Sequence, residues 1–134
     1  MGSPGSVAEL VCGLLIRDRS ALLVHRSPDR EVYPGVWDFP GGQVEPGESG
    51  TAALVRELSE ELDVVIAEPA GGGDLMLSAE GWHLTVWLVR DWTGNPRNAQ
   101  PDEHDDLAWF SLAEALALDF ADPEYRDLLR SALG

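Results

Sequence analysis

The chain has 134 residues and a formal net charge of −15, from 9 Lys and Arg against 24 Asp and Glu. That charge repels phosphate backbones and argues against a nucleic acid polymer or an anionic membrane as partner. With 44% hydrophobic residues and five Trp, a disordered acidic chain is excluded as well. The length fits one domain over residues 1–134, with the Gly/Ser/Pro-rich residues 1–6 read as a flexible tail. A single cysteine, Cys12, leaves no intramolecular disulfide, and its apolar neighbours Val11 and Leu14 suit a buried thiol better than a nucleophile. The start lacks a signal peptide's basic and apolar regions, and no apolar run reaches membrane-spanning length. The expectation is a cytoplasmic protein, a monomer or a homodimer.

In chain order, the β-branched run from Val7 to Ile16 and the run from Ala21 to His25 read as a hairpin, with Arg17 to Ser20 as its turn. Ser27 to Gly35 is a loop. Val36 to Phe39 is a short strand that Pro40, Gly41 and Gly42 break off. Pro46 and Gly47 turn the chain into a helix from Ser49 to Leu62, and Asp63 to Ala67 returns to a strand pattern. After a loop from Glu68 to Asp74, strands are expected at Leu75 to Leu77 and at Trp82 to Trp92. Thr93 to Asp106 is polar and turn-rich. Leu107 to Phe110 is a strand leading into a capping box, Ser111 to Glu114, that opens a short helix. Asp122 reads as an N-cap with Pro123 at the first helical position, and the terminal helix runs through about Leu129. Many strands around one central helix, with another at the end, predict an α/β fold: a mixed sheet sandwiched between helices.

The segment from Gly42 to Val64 carries the chemistry. At about 100° per residue, Glu57, Glu60 and Glu61 fall on one edge of the helix, and Leu54, Leu58 and Leu62 form the adjoining stripe. Like charges at these spacings repel and destabilise an isolated helix. Two readings stand at this point. Either the edge is a solvated acidic face, or it collects hard oxygen donors for Mg²⁺ or Mn²⁺, whose charge cancels the repulsion. Gly41 and Gly42 allow a close backbone approach that could add a carbonyl. Arg56, beside the carboxylates, can orient Glu57 or Glu48 through charge-assisted hydrogen bonds.

At these residues the sequence resembles the Nudix hydrolases. Their signature is Gly, five residues, Glu, seven residues, Arg-Glu, an aliphatic, any residue, Glu-Glu, any residue, Gly, an aliphatic. Gly42, Glu48, Arg56, Glu57, Leu58, Glu60, Glu61 and Val64 fill eight of its nine specified positions. The ninth departs from the pattern, with Asp63 where the family has Gly at the helix end. That position calls for a left-handed residue, which Asp tolerates at a cost of order 1 kcal/mol.

The resemblance implies a Nudix fold and hydrolysis of a nucleoside diphosphate linked to some group X. It implies Glu57, Glu60 and Glu61 as Mg²⁺ ligands (Mn²⁺ in its place), with Glu57 also orienting or deprotonating the attacking water. Gly41 or Gly42 would supply a carbonyl ligand, and Glu48 and Arg56 would order loop and helix. A cation bound there neutralises the diphosphate and activates water, which lets so acidic a protein take an anionic substrate. The segment WDFPGGQVEPGES is similar to the MutT-type nucleoside triphosphate pyrophosphohydrolases, the 8-oxo-dGTP diphosphatases among them. The expected partner is thus a small-molecule nucleotide, a (d)NTP cleaved to (d)NMP and pyrophosphate.

Outside the signature the readings stay paired. Arg26 ends a strand where similar enzymes place a basic residue towards the substrate, or it is simply solvated. Phe120 and Asp122 precede the last helix, where purine-selective members read the base, yet Asp122 serves equally as a cap. Glu103 is a further metal ligand or base, or part of an acidic loop with Asp102, Asp105 and Asp106. His25, His83 and His104 share no metal-ligand spacing with one another and read as structural or surface residues. Trp82, Trp87 and Trp92 cannot all face one side of a strand, and Trp109 reads as core; one of the aromatics could stack on a base. Two alternatives remain: a hydrolase of a nucleoside diphosphate sugar such as ADP-ribose, and a non-catalytic nucleotide-sensing module.

Overall fold

A computed structural model describes residues 7–30, 34–120 and 123–134. Among the described residues, seven strands and three helices follow in the order β1 (Ala8–Arg17), β2 (Ser20–Arg26), β3 (Trp37–Asp38), β4 (Gly41–Gln43), α1 (Gly50–Leu62), β5 (Leu75–Ala79), β6 (Trp82–Val89), β7 (His104–Ser111), α2 (Leu112–Leu116) and α3 (Tyr125–Leu133). The fold is the expected α/β sandwich around a mixed sheet. β1 runs parallel to β6 from Ala8↔Trp82 to Leu15↔Val89. On its other side β1 pairs antiparallel with β4 over Leu10, Val11 and Cys12, and with β2 only at Ile16 and Arg17. β2 continues the sheet to β3 and β7, and β5 closes the far side on β6.

The two-residue period of β1 divides the core. Val11 and Leu15 join Leu22, Val24 and the α1 residues Leu54, Leu58 and Leu62 on one face. Cys12, Leu14 and Ile16 join Ala21, Leu23, Ala115 and the α3 residues Leu128, Leu129 and Leu133 on the other. Between them Gly13 lets α1 lie close, for a Cβ there would come within 2.9 Å of Leu58 Cδ1. This tight contact fixes the depth of α1, and with it the height of the carboxylates on its edge.

Several expectations need correction. The hairpin turn is only Asp18 and Arg19, both left-handed at φ 50° and 63°, as a two-residue turn matching strand twist requires. The short strand does break off before Pro40, but Gly41 and Gly42 then start β4, because β1 offers an open edge there. Asp63 to Ala67 makes only a bridge, Val65↔Thr93. β6 stops at Val89 rather than Trp92, and β7 begins at His104, three residues before Leu107. The Ser111 capping box is present in full. The last helix begins at Tyr125 with Glu124 as its cap residue and runs to Leu133, so Pro123 precedes it rather than opening it. Asp122 itself lies outside the described residues. No helix among them is long and apolar enough to cross a membrane.

Candidate active site

The site is assembled on α1. Ser49 caps the helix by accepting a hydrogen bond from the Ala52 N–H at 3.1 Å. Two turns on, Arg56 is the hub. Its Nε donates to Glu48 Oε2 at 2.8 Å and its Nη2 to Glu48 Oε1 at 2.9 Å, a bidentate pair. Nη2 also donates to the Gln43 carbonyl at 3.0 Å, and Nη1 reaches Glu57 Oε1 at 2.8 Å and Glu60 Oε2 at 3.3 Å. These contacts hold the Glu48 carboxyl down at about 2, mainly through the Arg56 hydrogen bonds, and raise the guanidinium's own value. One cation thereby orders three carboxylates and ties the 43–48 loop to the helix.

The glycine pair acts through clearance. A Cβ on Gly42 would sit 2.5 Å from the Glu57 carboxylate, and one on Gly41 would sit 1.9 Å from the Val11 carbonyl oxygen. The contact seen at Gly41 is its N–H, which donates to Glu61 Oε1 at 3.3 Å. Glu61 is 1% exposed and its Oε2 has no hydrogen-bond partner among the described residues. Burial first, then the neighbouring Glu57 and the charge of Glu103, push the Glu61 carboxyl up to about 10. A buried carboxylate with an unpartnered oxygen beside two others is a costly arrangement that a divalent cation resolves.

The far end of α1 recruits the remaining groups. Its exposed carbonyls are capped by the loop after β6: Ala99 N–H donates to the Glu61 carbonyl at 2.8 Å and Arg97 N–H to that of Leu62 at 3.0 Å. This docking carries Glu103 and His104 to Glu61, and one ligand atom from each of the three lies within 4.8 Å of the others. His104 is 4% exposed, with Nε2 3.6 Å from Glu61 Oε1 and a partnerless Nδ1 among the described residues. Burial, with Arg30 and Arg26 nearby, lowers its imidazole to about 4 and keeps it neutral. His104 is thus no surface residue. Its partners come from α1, so spacing among histidines could not reveal it.

A cavity of about 790 Å³ opens on this cluster, lined by Gly41, Gly42, Glu57, Glu103 and His104 and also by Arg26, Asp38, Phe39 and Tyr125. Arg26 reaches the cavity, but its Nη1 is paired with Asp38 at 3.3 Å. Asp38 escaped the sequence reading. Burial raises its carboxyl against the opposing pull of Arg26, the Tyr125 hydroxyl and the Phe39 N–H; the signal was a charge set among the aromatics of WDFPGG. Glu60 stays at the helix rim with its side chain 46% exposed. Phe120 does not line the cavity, but packs edge-on to Phe39 and Tyr125, with the Arg126 guanidinium over its ring.

Of the other singled-out residues, His25 bonds Asp105 and the Gly35 carbonyl, and His83 pairs with Glu9 at the surface. Trp109 packs at the margin of the α1 core and stacks on Trp92 at 5.9 Å, while Trp82 lines the cavity.

Comparison with known proteins agrees with this geometry. The NUDIX domain profile matches residues 8–132. A protein of Escherichia coli K12 named CTP pyrophosphohydrolase is 40% identical over 110 residues, covering 81% of this chain and 78% of the relative. The solution structure of the Escherichia coli ORF135 protein superposes with a TM-score of 0.74 at 34% identity, covering 98% of this chain and 91% of that one. A MutT NUDIX hydrolase from Burkholderia pseudomallei gives 0.76 at 25% identity over 96% and 99%. Profile, relatives and carboxylate helix together place the chain in the NUDIX family, among the pyrophosphohydrolases that act on acid anhydrides.

Proposed function

We propose that this chain hydrolyses a nucleoside triphosphate to the monophosphate and pyrophosphate, assisted by Mg²⁺ held along the acidic edge of α1. The observation that carries the reading is the buried Glu61 oxygen that finds no partner among the described residues, beside Glu57 and Glu103, which line a cavity of about 790 Å³. Glu57, Glu60, Glu61 and Glu103 would hold the cation, with a carbonyl of Gly41 or Gly42. Its charge would offset that of the polyphosphate and favour attack by water. Glu57, fixed by Arg56 and accommodated by Gly42, is placed to orient the water and accept its proton. Arg26 and Arg30 line the same cavity and supply positive charge towards phosphate.

The relative named CTP pyrophosphohydrolase supports a triphosphate substrate over a nucleotide sugar. The test is a panel of CTP, dCTP, dGTP, 8-oxo-dGTP and ADP-ribose with Mg²⁺, reading released pyrophosphate and phosphate separately. At least one triphosphate should yield pyrophosphate, and Glu61→Gln should lower that rate by two to three decades, about 3–4 kcal/mol of barrier. Preferred cleavage of ADP-ribose, or tight nucleotide binding without turnover, would overturn the reading.

A further inference from the structure

Not all donors at the site are oxygens. Glu61, Glu103 and His104 converge to within 4.8 Å, and two of the three are almost wholly buried. His104 Nε2 stands 3.6 Å from Glu61 Oε1, too far for a hydrogen bond. Ligands about 2.1 Å from a six-coordinate ion lie about 3.0 Å apart when adjacent and about 4.2 Å when opposite. The observed separation falls inside that range. Among the described residues, Glu61 Oε2 and His104 Nδ1 are buried atoms that find no partner. No hydrogen bond joins Nε2 to Oε1 at that distance, whereas an ion bound by the imidazole and by the Glu61 carboxylate, Oε2 included, accounts for the gap and gives Oε2 a partner.

The geometry points to a mixed carboxylate–imidazole metal position, formed by Glu61, Glu103 and His104, that takes Mn²⁺ or Co²⁺ in preference to Mg²⁺. Mg²⁺ favours all-oxygen ligands and parts reluctantly with its water, whereas imidazole suits the first-row transition metals. The position is held by the fold. Asn98 Nδ2 donates to the His104 carbonyl at 2.7 Å, Ser27 N–H donates to the Glu103 carbonyl at 3.0 Å, and the loop is clamped on the end of α1. Without the imidazole, Glu61 and Glu103 still complete, with Glu57 and Glu60 beside Arg56, the all-carboxylate set proposed above for Mg²⁺. The inference rests on the proposed function only in that the same centre binds cations, and its test needs no turnover.

The experiment is pulsed electron paramagnetic resonance of the nucleotide-free protein loaded with one equivalent of Mn²⁺, with calorimetric titration of Mn²⁺ and of Mg²⁺. The wild type should show nitrogen coupling from a directly bound imidazole. His104→Gln should abolish that coupling and weaken Mn²⁺ binding by about tenfold or more, while Mg²⁺ affinity changes less than about threefold. The wild-type spectrum tests the assignment even if the substitution harms folding. Absence of nitrogen coupling, absence of Mn²⁺ binding, coupling that persists in His104→Gln, or equal loss of both metals would each overturn it. Failure of nucleotide hydrolysis alongside a positive spectrum would sink the proposed function and leave the metal position standing.

Discussion

Arg56 of α1 and Glu48 of the preceding loop, eight positions apart in sequence, face each other in a two-point grip, Nε to Oε2 at 2.8 Å and Nη2 to Oε1 at 2.9 Å. Lysine cannot reproduce it, having one point charge in place of a planar fork. Arg56→Lys should therefore release Glu48. In the wild type the Glu48 carboxyl titrates at about 2. Because its folded value is depressed, the stabilisation is present above the ordinary 4.5 and is lost as pH falls through about 2. Carboxyl NMR of Arg56→Lys should show Glu48 returning towards 4.5. A value still near 2 would mean that the Glu45 N–H, not Arg56, sets it.

Glu61 gives the opposite sign. Its folded value is raised to about 10, chiefly by burial, so the metal-free protein keeps a proton there that the unfolded chain releases near 4.5. Stability from this group is fully present below about 4.5 and drains away as pH rises towards 10. Glu61→Gln cannot ionise, so with EDTA present it should be more stable than wild type at pH 9, and the gap should close near pH 5. Denaturant melts at the two values check this; a gap that does not depend on pH would refute it.

Gly42→Ala places a methyl group 2.5 Å from the Glu57 carboxylate. The helix cannot retreat, because Leu54 and Leu58 are fully buried on the adjoining face, so the carboxylate must move. A displacement of about 1 Å at a reacting group costs about 10² in rate, and kcat should fall by that order with the far-ultraviolet circular dichroism unchanged. Gly72→Ala, where a Cβ meets nothing within 4 Å, is the control and should keep full activity.

Asp63 ends α1 in the left-handed conformation at φ 58°, and its Oδ2 accepts from Arg97 Nε at 3.1 Å. Asp63→Gly relieves about 1 kcal/mol of backbone strain and gives up an exposed ion pair worth about 0–1 kcal/mol. Its stability should stay within about 1 kcal/mol of wild type. Asp63→Ala loses the pair and keeps the strain, so it should fall by about 0–1 kcal/mol below wild type and lie about 1 kcal/mol below Asp63→Gly in urea melts. Equal behaviour of the two variants would show that the left-handed geometry carries no cost here.

What the sequence alone determined is local. The helix to Leu62, the edge of Glu57, Glu60 and Glu61 and the Ser111 capping box follow from spacings within a few turns of chain, and the left-handed Asp63 from the resemblance to the family signature. The α/β sandwich is legible in the same way, since the unbroken apolar run of β1 demands a core on both faces. Where pairing with a distant segment decides, the sequence was silent or misleading. β4 exists because β1 leaves an edge for Gly41 to Gln43, and Val65 makes only a bridge because Thr93 alone meets it. His104 read only as a structural or surface residue until the loop after β6, bonded through Ala99 and Arg97 to the last carbonyls of α1, carried it to Glu61. Asp38 became a cavity residue only through Arg26 and Tyr125, from β2 and α3. Local hydrogen bonds and periodicity are written in neighbouring residues; burial and charge pairing between separate elements come into being only when the chain closes on itself.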